Sequence, residues 1–351
     1  MKILLITPNL KSKGGVSVFN HLLIKYSKNN IRPFVISSVN RNTFKVFFLL
    51  KDFLKLFFVL MFNKYDLVHI NPSLNRNSVM RDSIYVAFAK LFRHRVYIHW
   101  HGWNYDKEYL LESFFMRNLL FKADHIRFLA DDFKNKFINA GYNNGVSLGN
   151  TFVDDEILVD YKKTDSKDLS KKCNILFLTT IATTKGIFIA IDAFKIIQAK
   201  FNHVTFYVAG SGKDLNKAQE YVKVNNISNV IFLGHVEGEE KVKAFSTADI
   251  YIFPSYFEGM PTSLLEAMAF GLPIVTSDVG GIKDFFEDGV MGFITNKKTY
   301  GVYAMSIEQL ILNKTLYQNI SNFNCKYAKE RFLASNTVKS IENEYRITSA
   351  K

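Results

Sequence analysis

Short apolar, β-branched and aromatic runs alternate with longer stretches of helical periodicity along most of the chain. Runs at 2–7 (KILLIT), 33–39 (PFVISSV), 66–70 (DLVHI), 95–100 (RVYIHW) and 125–129 (HIRFL) predict strands, and helical patterns lie between them, for instance over 16–28 and 107–122. Continuous apolar strands separated by helices indicate βαβ units and a parallel sheet covered on both faces. A polar stretch at 160–173 (DYKKTDSKDLSKKC) has no apolar periodicity and reads as a linker. The alternation restarts at 174–179, 204–209, 229–233, 249–253, 273–276 and 292–295, and a last helical pattern covers 335–347. The expected organisation is an α/β domain over 1–160, a linker over 161–172 and a second α/β domain over 173–334. Open parallel sheets bind ligands beyond the carboxyl ends of their strands, so two such sheets facing one another would line an interdomain cleft.

Composition narrows this picture. A length of 351 residues suits two domains of ordinary size, and 48% apolar with 15% aromatic residues excludes a disordered chain. Cys173 and Cys325 lack partners at metal spacing, which argues against a disulfide framework or zinc site and fits a reducing, cytoplasmic setting. The first apolar run ends at Pro8 without a small-residue cleavage site, so a buried strand is expected there and not a signal peptide. The most lipid-like stretch, 44–62 (FKVFFLLKDFLKLFFVLMF), is interrupted by Lys45, Lys51, Asp52 and Lys55 and falls short of a spanning helix. Two readings stay open for it. One is a helix buried against a sheet with its polar strip outward; the other is a helix lying on the inner face of a membrane, its lysines meeting anionic headgroups. The net charge of +13 permits an anionic partner, but the lysines are spread and form no zinc-finger or basic-zipper pattern, so no nucleic acid is expected.

Candidate chemistry sits at the expected strand ends. Gly14-Gly15 in TPNLKSKGGVSVF (7–19) precedes a helical pattern, where backbone N–H groups could approach a phosphate; a turn glycine is the alternative. In YIHWHGWNYD (97–106), period-two spacing puts His99 and His101 on one face. Without a third ligand they make a poor metal site. His101 suits a hydroxylated ligand or the acceptor side, with a structural histidine as the alternative. Lys185-Gly186 stands at a helix start, where a cation opposes the helix dipole unless an anion is present; a solvated lysine is the alternative. In VAGSGKDL (208–215), Gly210 and Gly212 would permit close approach of a ring or phosphate. The densest stretch is FEGMPTSLLE (257–266), where Glu258 and Glu266 flank a Gly, a Pro and two hydroxyls. Ser263 and Glu266 fit a capping box, which would account for Glu266 and leave Glu258 unexplained. Alternatively the helix start is an anion site, with amides near Thr262 to Leu264 directed at a diphosphate, Glu266 on the ribose and Glu258 on the sugar beyond.

With GLPIVTSDVGGIKDFFEDGVMGFIT (271–295), this arrangement closely resembles the retaining GT-B glycosyltransferases of family 4, whose pattern is E-G-x-P-x-x-x-x-E-A followed by a Gly-Pro and Gly-Gly run. The resemblance is most specific over 249–295. It implies two Rossmann-like parallel-sheet domains in the GT-B arrangement, with a helix at 335–351 returning to the first domain. It implies Glu258, Lys185 and His101 at the reacting centre, and Gly14, Gly15, Gly210, Gly259, Met260, Thr262, Ser263, Leu264 and Glu266 around the donor. Asn150 matches the family's asparagine at the domain junction. Where the family usually carries an Arg beside the donor phosphates, this chain has Thr179-Thr180; Lys213, Lys11 or Lys13 are the candidates to replace it. A lost charged contact there would cost on the order of 10²-fold in rate.

The activity so implied is transfer of a sugar from a nucleotide-diphosphate sugar, UDP favoured, to a hydroxyl. The acceptor would be a glycan or polyprenyl-diphosphate-linked glycan in bacterial-type surface polysaccharide synthesis. Neither glutamate would lie beneath the anomeric carbon, which favours a same-face retaining mechanism over a covalent intermediate. No D-x-D occurs, so no divalent metal and no cofactor beyond the donor are expected. Two other functions share the architecture. A sugar-nucleotide epimerase would form product without an acceptor, and a non-catalytic binding protein would hold the donor without releasing nucleotide.

Overall fold

A computed structural model of the chain describes residues 1–12, 14–37, 45–159, 161 and 168–350. Lys13 and half of the polar stretch at 160–173 lie outside the described residues, as do positions 38 and 39 of the second expected strand. The chain divides into two compact units, Met1–Thr151 with Ala334–Lys351, and Phe152–Leu333. The change of unit falls ahead of the polar stretch. Val153 donates its N–H to the Phe332 carbonyl at 2.8 Å and bridges Leu333, which ties it to the second unit.

In the first unit the elements run β1 (Lys2–Thr7), α1 (Gly15–Tyr26), β2 (Asn30–Val35), α2 (Lys45–Phe62), β3 (Leu67–Ile70) and α3 (Arg76–Leu91). They continue with β4 (Val96–Trp100), α4 (Phe114–Asn118), β5 (His125–Phe128), α5 (Asp131–Asn139) and β6 (Gly145–Leu148). All pairings are parallel, in the order β2-β1-β3-β4-β5-β6. Leu4, Ile6, Val68, Ile98 and Ile126 from these strands share one buried core. The pattern over 107–122 is not one helix. A 3-10 turn, Tyr105–Glu112, ends at Ser113, whose hydroxyl donates to the Leu110 carbonyl and accepts from Met116 N–H, so one serine closes a turn and caps α4.

The second unit comprises β7 (Cys173–Leu178), α6 (Ile187–Lys200), β8 (Val204–Ala209), α7 (Leu215–Val224), β9 (Val230–Gly234) and α8 (Glu239–Thr247). It continues with β10 (Ile250–Phe253), α9 (Thr262–Ala269), β11 (Ile274–Ser277), β12 (Gly292–Thr295), α10 (Tyr300–Leu312) and α11 (Lys314–Arg331). Its six parallel strands are ordered β12-β11-β10-β7-β8-β9 around a core that includes Ile175, Phe177, Phe206 and Ile252. The last helix, α12 (Ala334–Ala350), packs on α1 and β4 of the first unit. Its buried Glu342 accepts from Ser27 Oγ, Lys28 N–H and Asn29 Nδ2 at 2.7–2.9 Å. Glu344 accepts from Tyr97 Oη at 2.6 Å and pairs with Arg127. These bonds from Glu342 and Glu344 hold the helix in one register.

Candidate functional site

Strand order reverses between β10 and β7 in the second sheet, the place where open α/β sheets leave a crevice at the strand carboxyl ends. Tyr251, fully buried on β10, joins the two sides: its hydroxyl donates to the Leu178 carbonyl at 2.9 Å and lies 2.8 Å from Ser263 Oγ on α9. Burial pushes its phenol well above the usual range, so it stays neutral.

The loop after β10 carries Glu258. Its Oε1 accepts from Lys185 Nζ at 2.6 Å and from Ser255 Oγ at 2.7 Å, and the carboxylate side chain is 9% exposed. Lys185 ends a 3-10 turn, Thr183–Lys185, ahead of α6. The conflict between this cation and the helix start is therefore met inside the protein, by Glu258. Gly186, at φ 79°, lets the turn press against the loop, since a Cβ there would stand 2.0 Å from the Pro254 carbonyl oxygen. A second clamp comes from the Gly280–Ile282 turn. A Cβ on Gly280 (φ 54°) would lie 1.9 Å from the Glu258 carbonyl oxygen, and Gly281 N–H donates to the Gly259 carbonyl at 2.7 Å. The two glycines of the V-G-G run thus seat the segment that presents Glu258. Lys298 supports the same loop, donating to the Ser255 carbonyl at 2.7 Å; burial lowers its pKa to about 8.

Glu266 sits one turn into α9, buried, and accepts from Lys241 Nζ of α8 at 2.7 Å. The capping box is not formed. Pro261 takes the N-cap position without a side-chain bond, which leaves Ser263 to bond Tyr251 and Glu266 to pair with Lys241. The N–H groups of Thr262 and Ser263 have no acceptor among the described residues, whereas Leu264 N–H is turned to the Pro261 carbonyl at 3.1 Å. The helix start therefore offers two amides and not the three expected. Met260 is buried beside it. Gly210 and Gly212 have a packing role of their own. A Cβ at either would strike the chain's own backbone, 1.9 Å from the Thr179 oxygen and 2.2 Å from the Ile181 oxygen, so loop packing accounts for both without a ligand.

In the first sheet the order reverses between β1 and β3. Beyond those strand ends, Gly14 is the N-cap of α1 with no side-chain bond, and a Cβ at Gly14 or Gly15 would meet nothing within 4 Å. The fold does not require glycine at either position. His101 bonds Asn71 Oδ1 through Nε2 at 2.8 Å and stacks on His99 with ring centroids 4.5 Å apart. His99 stacks in turn on His69, whose Nδ1 is 2.5 Å from Tyr345 Oη. Burial drives all three imidazoles down, His69 and His101 to about 3 and His99 well below its ordinary value. They remain neutral at any physiological pH. Below about 6.5 the unfolded chain takes up protons that the native stack refuses until about 3, so stability falls as pH drops through that window. The slope is about 1.4 kcal/mol per pH unit for each histidine held neutral. Urea midpoints at pH 7.5 and pH 5 should show this loss, and His69→Gln should reduce it.

Lys241, Lys298, Ser255 and Tyr251 were not among the residues expected from sequence. The lysines stand in polar-looking segments and acquire meaning only through what the fold places beside them. Among the described residues no group of three His, Cys, Asp or Glu side chains is placed to hold a metal ion.

Residues 161–327 match the family described as glycosyl transferases group 1. The chain is 27% identical over 256 residues to the capsular polysaccharide biosynthesis glycosyltransferase CapM of Staphylococcus aureus, covering 70% of this chain and 66% of that one. It is 31% identical over 160 residues to the uncharacterized glycosyltransferase MJ1178 of Methanocaldococcus jannaschii, covering 44% of each. The matched regions thus span under two thirds of these relatives' own lengths. In fold, the chain resembles Anabaena HepE, solved in complex with UDP, with a TM-score of 0.77 at 18% identity over 99% of this chain and 100% of that one. The architecture is the α/β GT-B fold that the resemblance implied. The matched stretch, residues 161–327, is just under half of the chain and lies within the second unit.

Proposed function

We propose that this protein transfers a sugar from a nucleotide-diphosphate sugar, with UDP the favoured nucleotide, to a hydroxyl of a glycan or polyprenyl-diphosphate-linked glycan. The anomeric configuration is retained and no metal ion takes part. The reading rests chiefly on one observation: two deeply set carboxylates, each paired with a lysine, bracket a helix start whose first two amides lack acceptors. Amides and dipole at a helix start suit a diphosphate. Glu266 Oε1 is bonded to Lys241, and the carboxylate has lone pairs left for ribose hydroxyls. Glu258 is bonded only through Oε1 among the described residues, which leaves Oε2 for the donor sugar. Lys185, already beside Glu258, supplies the positive charge that a departing phosphate needs. Lys298 and Lys241 add cations near a site that lacks the family's usual Arg.

In the reaction the anomeric C–O bond to phosphate breaks and a C–O bond to the acceptor oxygen forms on the same face. The acceptor proton passes to the leaving phosphate oxygen. A neutral His101 is a hydrogen-bonding group and not a proton source, which suits an acceptor hydroxyl. Gly14 and Gly15 are assigned to donor phosphate, since the fold leaves their Cβ positions open. The name of the similar Staphylococcus aureus enzyme, a capsular polysaccharide biosynthesis glycosyltransferase, supports a glycan as acceptor.

Incubation with UDP-, GDP- and ADP-sugars should raise the thermal midpoint for one nucleotide class and release that nucleotide only when acceptor is added. Protection without acceptor-dependent release would leave a binding protein; product formed without acceptor would indicate an epimerase. EDTA is expected to leave the transfer rate unchanged, and rescue by added divalent ion would oppose the metal-free mechanism. Glu266→Gln is expected to weaken donor affinity about tenfold or more by calorimetry, since a charged acceptor for ribose is lost. Equal affinities would remove Glu266 from the nucleotide site.

A further inference from the structure

The helix α2 has two apolar faces where a surface helix ordinarily has one. Its inner side buries Leu56 and Leu60 in the core of the first unit. Its outer side exposes Phe47, Leu50, Leu54, Phe58, Met61 and Phe62, with Phe62 75% and Phe47 64% exposed. At 100° per residue these six fall in an arc of about 120°. Together they present on the order of 600 Å² of apolar surface, at the upper end for the largest patch on a soluble monomer. The polar strip foreseen as the outward face is therefore divided, with Asp52 buried and Lys51 and Lys55 exposed. Lys51 lies inside the arc and Lys55 at its edge, both exposed.

Charge decides what this face meets. Asp52, the one acid of α2, is buried and turned inward, where it accepts from Ser37 N–H at 2.7 Å and Ser37 Oγ at 2.8 Å. The exposed face is thus apolar with cations and no carboxylate. Facing a second copy across a two-fold axis, it would bring lysines against lysines. A bilayer with anionic headgroups meets both features at once, since acyl chains receive the aromatic and leucine side chains and phosphates receive the ammonium groups. No helix among the described residues is long and apolar enough to cross a membrane, so insertion across the bilayer is not the mode.

We infer that the outer face of α2 docks the protein on an anionic phospholipid surface, with the helix lying in the membrane plane. The inference stands on α2 alone and does not depend on the donor site. It adds to the proposed function a place where a lipid-linked acceptor would be met.

Flotation of the full chain with mixed phosphatidylglycerol and phosphatidylcholine vesicles, and with phosphatidylcholine alone, tests it. The chain should float with the anionic vesicles and at least about tenfold less with the neutral ones. Lys51→Glu with Lys55→Glu, and separately Leu54→Ser with Phe58→Ser, should each lower binding to anionic vesicles by about tenfold or more. All four residues are exposed, so the thermal midpoint and its rise with a nucleotide sugar should persist in both double variants. Three results would overturn the inference: no flotation of the unaltered chain, binding indifferent to either pair, or a concentration-dependent dimer that the serine pair dissolves. Loss of nucleotide-sugar protection alone would count against the donor site and leave the membrane face standing.

Discussion

Glu258→Gln is expected to lower turnover by about 10²–10³-fold at saturating donor while leaving a folded protein. Glutamine keeps the shape of the side chain and can still accept from Ser255 Oγ, but it withdraws the negative charge that holds Lys185 at 2.6 Å. Lys185 is 27% exposed and can turn toward water, so the stability change should stay near ~1 kcal/mol and not reach the full penalty of a stranded buried charge. The effect should fall on kcat, read as nucleotide released under acceptor excess, with the dissociation constant of the free nucleotide changed less than about threefold. Turnover within about threefold of the unaltered enzyme would place the chemistry away from Glu258.

A change of one methyl group at Gly280 should be as damaging by another route. Alanine there would need φ near 54° and would carry a Cβ 1.9 Å from the Glu258 carbonyl oxygen. Backbone must yield, and the piece that yields is the loop holding Glu258 and Gly259. Gly280→Ala is expected to destabilise by about 2–4 kcal/mol in urea titrations. It should also remove most activity at temperatures where the protein is still folded. Gly289 provides the control, because it shares a positive φ of 77° but has open space around its Cβ position. Gly289→Ala should show only the conformational cost, about 1 kcal/mol, and near-full activity. Equal effects at both positions would mean that the clash with the Glu258 loop carries no functional weight.

Much of the architecture was legible because buried parallel strands are continuous apolar runs, and eleven of the strands overlap runs picked out in the sequence, the fully buried Ile250–Phe253 and Ile274–Ser277 among them. The edge strand Gly145–Leu148 left no such trace, being only partly buried. The run expected at 33–39 belongs to a strand that starts earlier, at Asn30, because Asn30, Arg32 and Pro33 look like a turn until they pair with β1. At the site, Glu258 and Glu266 could be picked out by their spacing around Gly259 and Pro261. What they bond could not. The S-x-x-E spacing of Ser263 and Glu266 suits a cap, yet Pro261 fills the cap position and Tyr251, twelve residues back on another element, claims the serine. Likewise the Gly-x-Gly at 210–212 has the form of a ligand loop, but its open Cα positions are filled by the backbone at Thr179 and Ile181. Local spacing does not reveal which neighbour the fold will bring.

The most direct measurement is a diffraction structure of the protein with a bound nucleotide-diphosphate sugar. Pyrophosphate oxygens are expected within hydrogen-bond distance of Thr262 and Ser263 N–H, the ribose hydroxyls on Glu266, and the sugar beside Glu258. A nucleotide seated with those amides empty and both carboxylates remote from it would contradict the account.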